Sequence, residues 1–338
     1  MEKFINNAPF ALVLVCLIIG FVLLIKGADF FVEGSSSVAK RLHVPSIIIG
    51  LTIVAMGTSL PETAVSVSAS ITGNNELAVS NVVGSNIFNL MVVIGVCAMI
   101  ATVNVAKETI KRDIPFSLIC AGLLLILGIL GVGDKSGMML GHFDGVIFIG
   151  AFAGYIFYMI KIALKASKEG KKIEIEGGSD EDIKLISVPL SILFIIGGAA
   201  AIAVGGDITV DAASRIASDL GMSQTLIGLT IVAIGTSLPE LVTSIVASKK
   251  GENDMALGNV IGSNIFNLLL VLGVAGTVSP IHLPNMESVI DCVILLVVSL
   301  LVFFIIKRTS IVGKKTGALM VLIYVVYTIY IFYRNYFM

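Results

Sequence analysis

Two glutamates in this chain stand where carboxylates are costly. Glu62 ends the run Ile49-Gly-Leu-Thr-Ile-Val-Ala-Met-Gly-Thr-Ser-Leu-Pro-Glu62, and Glu240 ends Ile227-Gly-Leu-Thr-Ile-Val-Ala-Ile-Gly-Thr-Ser-Leu-Pro-Glu240. The copies lie 178 positions apart, from 49 to 227, and differ only at Met56 against Ile234. At the same offset each is followed by Gly-Ser-Asn-Ile-Phe-Asn, at Gly84 to Asn89 and at Gly262 to Asn267. An acidic side chain at the centre of a membrane-spanning helix costs on the order of 3 kcal/mol. No basic residue in either run offsets it. Incurred twice at equivalent places, that cost points to one composite site whose partner is a bound cation.

The neighbouring residue types suit coordination. On a helix Thr58 and Glu62 are i,i+4 neighbours and Ser59 and Glu62 are i,i+3, so their oxygens share a face. Thr236, Ser237 and Glu240 repeat the spacing. Pro61 has no N–H and crowds the carbonyl of Gly57, and Pro239 does the same to Gly235. Each helix should bend or break there and release backbone carbonyls one turn from a carboxylate. In a bilayer such carbonyls must be satisfied by protein, water or an ion.

The companion blocks add Ser85 with Asn89 and Ser263 with Asn267, again at i,i+4. Small and amide residues also hold helices together in lipid. Beside the duplicated glutamates, Asn89 and Asn267 read as ligands, whereas Asn81, Asn86, Asn259 and Asn264 read as packing or hydrogen-bonding residues. The set is all oxygen, which suits hard cations such as calcium and sodium; zinc or copper would call for His or Cys. Two glutamates neutralise one divalent ion or two monovalent ions. Ions competing for the same charge are what an exchanger needs.

The elements that hold these groups follow from composition. The 338 residues are 57% hydrophobic and only 13% charged, against roughly 25% charged in soluble domains; mean hydropathy is +1.03. The chain reads as an all-α integral membrane protein. A formal net charge of -1 and the lack of basic runs interleaved with aromatics exclude a nucleic-acid partner. With ~20 apolar residues needed per crossing, ten segments emerge: 9–37, 45–71, 77–102, 114–132, 143–164, 186–212, 223–247, 255–279, 288–306 and 316–335. The second and seventh are discontinuous at the proline–glutamate motifs. The apolar run near Ala8 is read as a retained first helix rather than a signal peptide, since no Ala-x-Ala site follows.

Residues 165–185 form a hydrophilic linker between two halves, 1–164 and 186–338. Gly27-Ala-Asp29 aligns without gaps on Gly205-Gly-Asp207, and Gly73-Asn-Asn-Glu76 on Gly251-Glu-Asn-Asp254, so each half is a five-helix unit. Five is odd, so the second unit enters from the opposite side and the repeats are inverted, with the substrate expected at their interface. Seventeen Lys and Arg residues fall on the face bearing the linker and four on the other. The positive-inside rule then puts the linker in the cytoplasm and both termini outside the plasma membrane.

Other features weigh less. Cys16, Cys97, Cys120 and Cys292 stand singly in apolar segments and read as packing residues. His43, His142 and His282 lie near helix ends and outside any metal-ligand pattern. Asp29, Glu33, Asp207 and Asp211 read as interfacial or gate residues, and Gly197-Gly198 and Gly205-Gly206 as sites of close helix packing or sliding. Gly131-Val-Gly-Asp134 matches the short motif of intramembrane aspartyl proteases, but no second aspartate in an apolar segment accompanies it. No phosphate-binding loop is present to drive pumping by ATP. No catalytic residue, enzyme activity or cofactor is assigned.

At Gly57-Thr-Ser-Leu-Pro-Glu62 and Gly235-Thr-Ser-Leu-Pro-Glu240 the sequence resembles the cation/calcium exchanger superfamily, specifically its prokaryotic sodium/calcium exchanger branch. The resemblance covers nearly the whole chain. It implies four ion sites, with calcium held by Glu62, Glu240 and the backbone carbonyls of Thr58 and Thr236. Sodium would bind through Ser59, Ser85 and the Ala55 carbonyl on one side, and through Ser237, Ser263 and the Ala233 carbonyl on the other, with Asn89 and Asn267 closing the centre. Some relatives, potassium-dependent ones among them, carry Asp where Asn89 and Asn267 stand here, so two amides argue against potassium coupling. The Gly-Asn-Ala-x-Glu signature of the proton-coupled branch is absent. The expectation is an electrogenic sodium/calcium antiporter, functional as a monomer, in which the first and sixth helices slide across the bundle. The alternatives are calcium/proton exchange at the same glutamates and, from another class, a cation channel.

Overall fold

The computed structural model describes residues 2–71, 75–130, 139–169, 185–221, 233–282 and 286–337. After a short helix, Glu2–Asn7, come α1 Phe10–Leu42, the bent pair α2 Ser46–Thr58 and α3 Leu60–Ile71, α4 Leu77–Ile100, α5 Thr109–Ile129, α6 His142–Lys168 and α7 Val188–Asp219. Then follow the short α8 Ala233–Thr236 and α9 Leu238–Lys249, and α10 Asn253–Val278, α11 Val289–Thr309 and α12 Lys314–Arg334. Among the described residues, eight helices are long and apolar enough to cross a membrane, or nine if the bent pair is one span. This is an all-helical, multi-pass membrane architecture.

The expected segments recur with shifted ends. α1 runs on to Leu42 and α7 to Asp219, five and seven residues beyond the expected ends; the added turns carry Lys40 and Arg41 in α1 and, in α7, Arg215 paired with Asp219 at 2.9 Å. The first part of the expected 223–247 segment, most of the linker and the Gly131–Asp134 motif lie outside the described residues.

Packing explains why α4 and α10 bear the site residues. They are the most deeply buried helices, whereas α1, α6, α7 and α12 present broad apolar faces outward. A Cβ at Gly50 of α2 would come within 2.5 Å of the Met255 carbonyl, and one at Gly258 of α10 within 2.5 Å of the Ile47 carbonyl. Only glycine lets these backbones cross so closely, and the crossing brings the Ser263 side of the chain onto Thr58. Two short antiparallel strand pairs tie the ends. β1 (Val103–Asn104) pairs with β4 (Ile311–Val312), and β2 (Met139–Leu140) with β3 (Ile281–His282).

α1 and α7 pack antiparallel along a seam of small residues. Gly20, Gly27 and Gly34 recur every seventh position on α1, facing Gly205, Gly198 and Ser191 in reverse order on α7. A Cβ at Gly198 would stand 2.7 Å from the Gly27 carbonyl and the Phe31 nitrogen, while one at Gly197 would meet nothing within 4 Å. Close packing is therefore seen for Gly198 and Gly205, but Gly197 takes no part. Charged residues fasten other helices: Arg334 of α12 forks onto Asp291 of α11 at 2.9 Å, and Lys250 reaches Asp29 of α1. Asp29 thus joins a spanning helix to the end of α9.

The seam gives a paired test. Gly198→Leu should force α1 and α7 apart, lowering the melting temperature in detergent by an overpacking cost of about 1–3 kcal/mol or more, whereas Gly197→Leu should leave it unchanged. Equal melting of the two variants would show that the seam is not a structural constraint.

Candidate ion-binding centre

The centre is built on two helix breaks. α2 ends at Thr58 and α3 begins at Leu60, at an angle of 50°. The residue between them, Ser59, has φ -85° and ψ 11°. Ser237, between α8 and α9, has φ -94° and ψ 6°. Both lie near the sparsely allowed bridge region. The hinge residue is therefore the serine itself, two positions before the proline, and not the glycine that the proline ring crowds. Pro61 and Pro239 fit the opening turns of α3 and α9, where a missing N–H costs nothing. Glu62 and Glu240 consequently lie in the first turns of new helices, where backbone N–H groups favour negative charge.

Both glutamates are 0% exposed, and each is held from the opposite half. Ser59 Oγ donates to Glu240 Oε1 at 2.9 Å, and Ser237 Oγ donates to Glu62 Oε1 at 3.2 Å. Ser85 Oγ also lies 3.1 Å from Glu62 Oε1 and within hydrogen-bond distance of Ser237 Oγ, so that two hydroxyl protons serve three contacts. Thr58 Oγ1 donates to Asn259 Oδ1 at 3.0 Å and lies 3.4 Å from Ser263 Oγ. Its counterpart, Thr236 Oγ1, donates to Asn81 Oδ1 at 3.2 Å. Serine and threonine hydroxyls that donate in this way keep lone pairs for a cation.

Four acceptors are left over. Glu62 Oε2, Glu240 Oε2, Asn89 Oδ1 and Asn267 Oδ1 are buried and meet no donor among the described residues. Asn89 and Asn267 each open a π-helical turn, Asn89–Val93 and Asn267–Val271. Such bulges displace the residues that follow by part of a turn and cluster at functional sites. Ser85 and Asn89 share one face of α4 at i,i+4, and Ser85 touches Glu62. Among the described residues no group of three or more His, Cys, Asp or Glu side chains forms a metal site. Cation binding here would fall to carboxylate, amide, hydroxyl and carbonyl oxygens, a set that fits hard ions.

The structure therefore gathers Glu240, Ser59, Thr58 and Ser263 into one hydrogen-bonded set and Glu62, Ser237, Ser85 and Thr236 into its mirror image, while Asn89 and Asn267 belong to a third set with Asn264 and Asn86. The Ala55 carbonyl already accepts Ser59 N–H at 3.1 Å and lies 3.3 Å from Thr58 Oγ1, whose proton has its shorter contact at Asn259 Oδ1. Ala233 opens α8, and its surroundings lie outside the described residues. Sequence reasoning overlooked Ser66 and Ser244, which accept from Asn81 and Asn259 at 2.9 and 3.0 Å. Each stands four residues after its glutamate in both copies, so the spacing could have revealed them.

Comparison with known proteins identifies the family. A family model described as sodium/calcium exchanger protein matches residues 12–161 and 190–333. A putative antiporter, CaxA of Alkalimonas amylolytica, is 43% identical over 263 residues, 78% of this chain and 80% of that one. The sodium/calcium exchanger MaX1 of Methanosarcina acetivorans is 32% identical over 350 residues, covering 94% and 97% of the two chains. The solved structure of the sodium-calcium exchanger NCX_Mj, soaked with Na+ and Ca2+, superposes with a TM-score of 0.78 at 31% identity, over 93% of this chain and 97% of that one. Two halves matched on either side of the linker, and relatives aligned over nearly their full length, place this chain in the sodium/calcium exchanger protein family, a family of membrane transporters and not of enzymes.

Proposed function

We propose that this protein is a secondary antiporter that exchanges sodium for calcium at the centre described above. The observation that carries the reading is the set of four buried oxygens without a donor, two of them carboxylate, with no basic side chain bonded to them among the described residues. A buried carboxylate costs several kcal/mol unless it is paired. One calcium ion or two sodium ions would pair both. The relatives named as sodium/calcium exchangers support that choice of ions.

The wider architecture is part of the proposal: ten spans, two five-helix repeats (1–164 and 186–338) of inverted topology joined by a linker at 165–185, acting as a monomer by alternating access. Its support is the exchange of partners between halves. Ser59 with Glu240 answers Ser237 with Glu62 across the halves, and within each half the pattern repeats, Asn81 donating to the Glu62 carbonyl at 3.4 Å and Asn259 to the Glu240 carbonyl at 3.4 Å. A pseudo-two-fold axis produces such reciprocal pairs. For orientation, the excess of Lys and Arg beside the linker favours the cytoplasmic side of the cell membrane.

Proteoliposomes loaded with sodium and diluted into sodium-free buffer at clamped pH should take up radiocalcium, and a proton gradient alone should not drive uptake. Uptake driven only by protons would replace sodium by protons as the coupling ion. Glu62→Gln and Glu240→Gln should each abolish uptake, and with it any calcium-induced rise in melting temperature, while the protein still elutes as a single species. Retained flux in either variant would overturn the centre. A cysteine placed at Lys171 should react with an impermeant maleimide only from the cytoplasmic side; labelling of intact cells would reverse the orientation.

A further inference from the structure

Asn86 and Asn264 belong to neither carboxylate and touch no free acceptor, yet each is 0–1% exposed and bridges the two halves. Asn86 Nδ2 donates to the backbone carbonyl of Asn264 at 3.2 Å, and Asn264 Nδ2 donates to the backbone carbonyl of Asn86 at 3.2 Å. A backbone carbonyl only accepts, so the amide atom facing it must be the NH2 group. That leaves Asn86 Oδ1 on the other side, where it accepts Nδ2 of Asn267 at 3.2 Å; Asn264 Oδ1 likewise accepts Nδ2 of Asn89 at 3.2 Å. The amides of Asn267 and Asn89 are thereby oriented in turn, and their oxygens meet no donor among the described residues.

We infer that Asn86 and Asn264 are positioning residues that set the polarity of the ion site: each fixes, through a relay anchored on a backbone carbonyl, that the opposite half's asparagine presents an oxygen and not an NH2 group to the cation. The inference rests on the proposed cation site. An amide has nearly the same shape in its two flip states but opposite electrostatics. A flipped Asn267 would place hydrogens where a cation requires lone pairs. Neither conformation would disturb packing, so the choice must come from the hydrogen-bond partner. The two relays cross, so each half orients the other's ligand.

A carboxylate has no wrong face, which gives the test. Calcium affinity is read from calcium-dependent shifts in melting temperature and from radiocalcium uptake for the wild type, Asn86→Leu, Asn267→Asp and the double variant, with Asn264→Leu and Asn89→Asp as the mirrored set. Loss of an orienting partner outside the ligands costs about 10–100-fold in metal affinity. Asn86→Leu should weaken calcium binding by that factor in the wild-type background and by far less in the Asn267→Asp background, where either oxygen can serve.

An equal penalty in both backgrounds, or none in the wild-type background, would overturn the relay. Aggregation of both leucine variants would assign these asparagines to folding alone and overturn it too. If the wild type itself shows no calcium-dependent shift or uptake, the cation site is what fails, a result distinct from unequal penalties among binding-competent proteins.

Discussion

Two carboxylates buried with no basic side chain bonded to them are the constraint on which the rest of this structure depends. Desolvating each costs several kcal/mol, and the ordinary remedy, a lysine or arginine, is absent from the hydrogen bonds of Glu62 and Glu240 among the described residues. The donors nearby are committed elsewhere. Asn81 and Asn259 give their NH2 groups to Ser66, Ser244 and the two glutamate carbonyls, and Asn86 and Asn264 give theirs to each other's backbone. Serine hydroxyls satisfy one oxygen of each carboxylate and leave the other. The network therefore does two opposite things at once: it saturates the backbone and amide donors, and it preserves a surplus of acceptors.

The partial satisfaction needs both halves. Ser59 bonds to Glu240 and Ser237 to Glu62, so neither signature run satisfies its own glutamate. The breaks at Ser59 and Ser237 make the exchange possible, because an unbroken helix would carry each hydroxyl along its own axis and not across to the opposite half. The close crossings at Gly50 and Gly258 serve the same end, since a side chain at either would push α2 and α10 apart. Broken helices, missing Cβ atoms and reciprocal hydrogen bonds are local weaknesses taken singly. Together they yield one compact polar core inside an apolar bundle.

Much of this was legible in the residues because the duplication supplied its own control. Glu62, Ser59, Thr58 and Ser85 could be singled out from dozens of polar residues since Glu240, Ser237, Thr236 and Ser263 repeat them at a fixed offset. What could not be read was which half a side chain would face. Periodicity places Asn86 and Asn89 on a helix but does not distinguish a bond within a repeat from one across it, so Asn86 and Asn264 read as packing or hydrogen-bonding residues without a partner that could be named. The π turns at Asn89 and Asn267 carry no composition signal; they are a response to tertiary contacts. The position of the helix break was also misjudged: proline chemistry points to Gly57, but the chain turns at Ser59, whose bridge-region backbone places Pro61 in an opening helical turn where it costs nothing.

The contrast between the two kinds of helix contact bears on how such a core could be reached from two sides. The core helices are tied by hydrogen bonds, and breaking several at once with their partners left buried would be prohibitive. The α1–α7 pair is held along its seam by backbone-to-backbone packing at glycines, which fixes the two helices to each other. Against the core this pair presents apolar side chains: Phe31 lies over Gly57 and Val210 over Gly235, so closely that a Cβ at either glycine would collide with them. A contact made of apolar groups has no donor or acceptor to strand when it shifts. Moving α1 and α7 as one body past Gly57 and Gly235 would therefore strand fewer hydrogen bonds than rearranging the oxygens around Glu62 and Glu240; the polar ties it would have to exchange include Lys250 on Asp29 and Ser36 on Met255.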